Sequence, residues 1–272
     1  MANRKKLTPE LLKKHPICCF CGGGVAATTA DHVPARIQFW RKRRPGGLEL
    51  PACLSCNVGT RALEQVAALF SRMRVEELSP DEAAEVRQLS ISTDLSFPGW
   101  RAELYPGVGQ IAQTMRSLGE AANHIQTVDM SGPLVSDALS VLIAKLGFGL
   151  HYHHSRHIVP TGGVVEVRYE TNASMIDRPL PTELFSFLGP VEHLRQGKWT
   201  SESHFGYRGA WMDDGRCSMF VGHIGKALGF IAIVFANEAD DASGTTGFKL
   251  FRPGDLQRAD ALARARYPVA AP

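Results

Sequence analysis

Several things are scarce or missing in this 272-residue chain, and each absence narrows its class. No apolar run reads as membrane-spanning, and the opening MANRKKLTPELLKKHP is basic without the apolar core of a signal peptide, so no membrane partner and a cytoplasmic setting are expected. Internal repeats and low-complexity tracts are missing, which argues against a solenoid or a disordered tail. The second half shows neither a glycine-rich phosphate loop nor a nucleophile motif, so it offers no enzyme of its own. Cysteine is sparse, at six residues, and in a cytoplasmic chain such residues serve as metal ligands or free thiols rather than disulfides. Acidic residues are nearly absent from the first 44 positions, where ten Lys or Arg face only Glu10 and Asp31, a surplus of eight that leaves the remainder of the chain at −5. Positive charge concentrated in this way suits a segment that meets phosphate, against the blander alternative of a solvated basic face.

What is present describes a globular α+β protein: 44% hydrophobic residues with 21% charged ones is enough to build a core. Residues 1–78 read as a cysteine-rich unit, 79–132 as a helical connector and 133–272 as a second α+β domain. Ser79 before Pro80, Asp81 and Glu82 is a helix start. The Gly/Pro-rich stretch 92–109 reads as a loop. Leu134, Val135, Ala138, Leu139, Leu142, Ile143 and Leu146 recur at helical spacing, predicting an amphipathic helix after Pro133. Four strands of a mainly antiparallel sheet are expected at 164–170, 204–212, 217–223 and 228–236, with a hairpin turn at Asp213-Asp214-Gly215 and a short exposed helix near the C-terminus.

Cys18-x-x-Cys21 and Cys53-x-x-Cys56 are two knuckles able to give four thiolates to one tetrahedral structural zinc, the other reading being buried free cysteines or a redox pair. Cys19 is the spare within the first knuckle, and Cys217 reads as a small core residue. Between the knuckles lies TADHVPARIQFW. Asp31-His32 there is either a strand end running into a turn, or a hard oxygen ligand beside a general base. Asn57, directly after the last cysteine where a helix opens, offers a second oxygen to a divalent ion. Alternation along a strand points Asp31 and His32 to opposite faces, so one shared site requires the strand to bend, and Pro34 favours that.

CCFCGGG, TADHVPARI and LPACLSCNVGTR, taken in order, resemble the HNH endonuclease superfamily over about residues 15–75. The resemblance implies a zinc-stapled ββα-metal core, followed here by a helix-plus-antiparallel-sheet domain. It implies metal-dependent hydrolysis of phosphodiester bonds in DNA, with RNA as another substrate. In that picture His32 is the general base, Asp31 and Asn57 hold catalytic Mg2+ or Mn2+, and Cys18, Cys21, Cys53 and Cys56 hold structural Zn2+. One position departs from the family: Leu48 stands near where an Asn braces the loop of the catalytic His.

The alternative is a non-catalytic zinc-dependent nucleic-acid-binding protein on a degenerate HNH scaffold. Arg36, Arg41, Lys42, Arg43, Arg44 and Arg61 are the candidate phosphate contacts. The second domain is a candidate for target recognition, gating or homo-oligomer formation. His151, His153, His154 and His157 follow the predicted helix, with His151 and His153 alternating as on a strand; no carboxylate sits at matching spacing, so a structural or surface role is expected.

Overall fold

The computed structural model describes residues 4–73, 77–104, 130–171, 182–238 and 247–268. Helix α1 (Arg4–Lys14) leads into the first cysteine knuckle, and strands β1 (Thr29–His32) and β2 (Glu49–Ala52) form an antiparallel pair that matches Asp31 with Leu50 and His32 with Glu49. The short helix α2 (Leu54–Val58) opens on Cys53 as its N-cap, and α3 (Arg61–Ser71) follows after Gly59-Thr60. The chain thus runs strand, strand, helix between and beyond the cysteine pairs. Helix α4 (Pro80–Ser96) starts with a complete capping box: the Ser79 side chain accepts from Glu82 N, and the Glu82 carboxylate accepts from Ser79 N at 2.8 Å. It continues five residues into the stretch expected to be a loop, and a 3-10 turn (Trp100–Leu104) follows; positions 105–109 of that stretch lie outside the described residues.

The long helix α5 (Pro133–Ser155) is the centre of the protein. It is not amphipathic, as expected, but buried on nearly all sides: 18 of its 23 residues are inaccessible. By length and hydropathy alone it would pass as a membrane span, yet 83% of its apolar window is covered by protein. Two glycines explain how it packs on both sides. A Cβ on Gly147 would come within 2.7 Å of Val165 on the sheet, and one on Gly149 within 2.5 Å of Leu50 on the hairpin. Helix α5 is therefore pressed between two layers that touch its backbone.

One layer is a five-stranded sheet, antiparallel throughout, in the order β6 (Phe205–Trp211), β7 (Cys217–Ile224), β8 (Leu228–Phe235), β3 (Val164–Thr171), β9 (Lys249–Phe251). The four longer strands fall where the β-branched and aromatic runs predict them, with 213–215 between β6 and β7; two two-residue strands, β4 (Arg195–Gln196) and β5 (Trp199–Thr200), pair with each other. The other layer is the hairpin with α3. The last helix, α6 (Ala259–Ala265), is not simply exposed. It turns back so that Asp260 accepts from Ala62 N and Leu63 N at 2.8 and 3.0 Å, capping α3 from 198 residues away in sequence.

A single buried cluster runs from Cys18 through Phe70, Leu142 and Phe205 to Ala263. The expected units 1–78 and 133–272 thus share one core, because α5 serves as the apolar partner of both.

Candidate zinc centre and hairpin site

The Sγ atoms of Cys18, Cys21, Cys53 and Cys56 all lie within 4.8 Å of one another, and all four residues are buried. Tetrahedral zinc with Zn–S near 2.3 Å spaces its sulfurs by roughly 3.8 Å, so the cluster is compatible with a structural zinc closed to water. Supporting donors are in place: Gln257 Nε2 donates to Cys21 Sγ at 3.0 Å and Cys56 N to Cys53 Sγ at 3.4 Å. Hydrogen bonds from Cys18 and Cys56 hold the Cys21 thiol down to about 4 against its burial. Cys19 points out of the set into the core, where burial pushes its thiol up, and Cys217 is only half-buried in β7.

The hairpin separates the two residues that the resemblance brings together. Strand β1 stays regular through His32, so Thr29 and Asp31 face the interior while Ala30 and His32 face a cleft against α1. Asp31, 5% exposed, forms an ion pair with Lys145 Nζ of α5 at 2.8 Å. The same ammonium contacts Glu64 Oε1 of α3 at 2.5 Å and donates to Thr60 Oγ1 at 3.0 Å. Burial opposes the charge on Lys145, but Glu64 and Asp31 outweigh it and push the ammonium above its ordinary value. Burial, with the nearby Asp31 charge, raises Glu64 against the pull of Lys145. Asn57 is on the interior face too, but its Nδ2 donates to Thr29 Oγ1 at 2.9 Å. These residues do not fit a Mg2+ or Mn2+ ion: the carboxylate expected to bind it holds a resident cation, and α5 covers it from solvent.

His32 lies in the cleft, half-buried. Its Nε2 is 2.6 Å from Arg36 Nη2, and its Nδ1 is 3.5 Å from Glu49 Oε1, its cross-strand neighbour, a contact distance rather than a well-formed hydrogen bond. Burial works against the Glu49 charge, but His32 and Arg44 overcome it and hold the carboxyl at about 2.

Arg44, expected to contact nucleic acid, instead faces inward. Its guanidinium donates to the carbonyls of Pro34 (2.8 Å), Pro45 (2.9 Å), Val33 (3.0 Å) and Gly47, and to Glu49 Oε1 at 3.3 Å. A five-donor fork is suited to gathering the carbonyls of an irregular loop, whose buried polar groups must be satisfied somewhere. Leu48, in the left-handed region at φ 52°, supplies a carbonyl to Val33 N at 3.1 Å. The loop between the two strands is braced by Arg44 and by this backbone bond. Arg72, at the end of α3, holds the other half of the loop through Ile37 O and Phe39 O at 2.9 and 3.1 Å. Of the other basic candidates, Lys42, Arg43 and Arg61 are exposed, and Arg41 pairs with Asp81 of α4.

His151, His153 and His154 fall in the last turns of α5 rather than on a strand, and His157 lies just past its end. His151 is fully buried with Nδ1 2.9 Å from Ser218 Oγ, and burial lowers it to about 4. His154 stacks on Trp211 at 4.0 Å and meets Tyr207 Oη at 3.1 Å. Among the described residues, only the four cysteines form a group spaced for a metal.

Sequence reasoning missed Lys145, Glu64 and Glu49. A signal existed for the first two: each is a lone charge in an apolar helical run (VLIAKLGFG and ALEQVAALF), and a buried charge demands a partner. Compared with known protein families, curated proteins and solved structures, the chain matches none.

Proposed function

We propose that this chain is a zinc-dependent nucleic-acid-binding protein built on an HNH-like strand–strand–helix scaffold whose metal-hydrolysis position has become structural. The observation that carries the reading is the Lys145 ammonium on Asp31 and Glu64: a covalently tethered cation occupies the carboxylate that a catalytic ion would need. The zinc would clamp the hairpin, and the basic N-terminal segment would supply phosphate contacts through Lys42, Arg43, Arg61 and the cationic edge of the cleft. Fluorescence anisotropy with labelled DNA and RNA across a salt series tests it. Binding should weaken linearly in log–log form, and Lys42→Ala with Arg43→Ala should reduce the slope by roughly one per lost contact. Salt-independent affinity, or none, sinks the reading.

A metal-dependent endonuclease is the second reading, favoured by His32 standing in an open cleft beside Glu49 and Arg36. It requires Asp31 to release Lys145. Plasmid nicking in Mg2+ or Mn2+ that disappears in His32→Ala would establish it over the first.

A further inference from the structure

The hairpin face turned away from Lys145 holds a second constellation. Between α1 and the hairpin is a cleft of about 600 Å³ that contains two imidazoles, His15 and His32. His15, one residue beyond α1, has Nδ1 2.6 Å from Tyr152 Oη, which orients the ring; its Nε2 has no protein partner among the described residues. His32 has Glu49 at Nδ1 and Arg36 at Nε2. Lys14, Arg44 and Glu10 complete the charged lining. Two rings, each with an oxygen group at one nitrogen, sharing a cleft with cations, is the equipment for moving one proton off and one proton onto a phosphodiester.

Building on the nucleic-acid reading above, we propose that this cleft cleaves single-stranded RNA by transphosphorylation, with His15 as base and His32 as acid. His15 Nε2 takes the proton of a ribose 2′-hydroxyl, and the 2′-oxygen forms a bond to the adjacent phosphorus. The bond from phosphorus to the 5′-oxygen breaks, and protonated His32 gives that oxygen its proton. The products are a 2′,3′-cyclic phosphate and a 5′-hydroxyl end; solvent returns the proton from His15 to His32, and no metal or redox partner takes part. Electrostatics divides the roles. Burial, Arg156 and Lys14 disfavour a charge on His15, which suits a base, and the Glu49 carboxylate lies 3.5 Å from Nδ1 of His32, the ring assigned the acid role. The Arg36 guanidinium lines the same cleft beside His32 and stands where the trigonal-bipyramidal state gains charge. DNA lacks the attacking hydroxyl and is bound but not cut.

The test uses zinc-loaded full-length protein in buffer stripped of magnesium and manganese. The substrates are a labelled DNA strand carrying one ribonucleotide and its all-deoxy counterpart. The expected result is cleavage at the ribonucleotide alone, with a 2′,3′-cyclic phosphate end. His15→Gln and His32→Gln should each slow it by at least about 100-fold, with affinity and zinc content unchanged. Intact RNA with binding preserved overturns the proposal and leaves the binding function standing; absence of binding overturns both. Cutting of the all-deoxy strand, a requirement for added Mg2+, or wild-type rates in either glutamine variant also overturns it. If either variant fails to fold, the cyclic end and the ribose requirement of the wild type still decide.

Discussion

Replacing Lys145 with Met removes an ammonium of which only 1% is exposed and leaves two carboxylates, on Asp31 and Glu64, facing each other without a counter-ion. Methionine keeps the length of the side chain, so little packing is lost and the change isolates the charge. Breaking a buried pair by deleting one partner costs about 3–5 kcal/mol, because the remaining charge keeps its desolvation penalty without its attraction. Urea unfolding of the zinc-loaded protein measures this through the midpoint shift at constant slope. The triple variant Lys145→Met, Asp31→Asn, Glu64→Gln removes the whole charge set and should recover at least half of the loss, since neutral amides are much cheaper to bury than carboxylates. The pH dependence gives a second readout. Burial already raises the Glu64 carboxyl and Lys145 is what pulls it down, so without Lys145 the folded state takes up a proton at Glu64 before the unfolded state does, and the stability of Lys145→Met should rise as pH falls from 7 to 5. A loss below about 1 kcal/mol in Lys145→Met, or a triple variant no more stable than the single one, would refute the claim that Lys145 neutralises this site.

Three other outcomes follow from the geometry. Chelation of zinc, or Cys53→Ser, should abolish cooperative unfolding of the hairpin unit, and elemental analysis should find one zinc per chain. Arg44→Ala should cost about 2–4 kcal/mol by leaving several buried carbonyls unpaired, whereas Arg43→Ala should fall within about 0.5 kcal/mol of wild type; thermal melts of the two decide. Glu49 has a folded value of about 2 against an ordinary 4.5, so its contribution is whole above pH 4.5 and is lost as pH falls toward 2. Acid denaturation should therefore show a component in that window that is missing from Glu49→Gln.

Much of the fold could be read from local pattern. Runs rich in β-branched and aromatic residues placed β3, β6, β7 and β8 nearly to the residue, because such side chains favour extended backbone locally. The Ser79 cap was legible because capping is a contest among four neighbouring residues. The reading of α5 as amphipathic failed for the same reason in reverse: periodicity marks one apolar face but is silent on whether a second layer covers the other, and Gly147 and Gly149 reveal that layer only once Val165 and Leu50 are beside them. The C-terminal helix is largely exposed as its pattern suggests, but its anchor, Asp260 on the α3 N–H groups, was not legible because that contact spans nearly the whole chain.

The sequence by itself determined the cysteine set, since two knuckles of matched spacing need only a turn each to present their sulfurs, and it determined the alternation that sends Asp31 and His32 to opposite faces. Only the tertiary structure decided what each face meets. Asp31 meets Lys145, 114 positions along the chain, and becomes half of a buried ion pair; His32 meets α1 and an open cleft. No local rule relates residue 31 to residue 145, because their contact is set by a helix packing against a hairpin, and that contact turns a motif that reads as a metal ligand into a structural anchor.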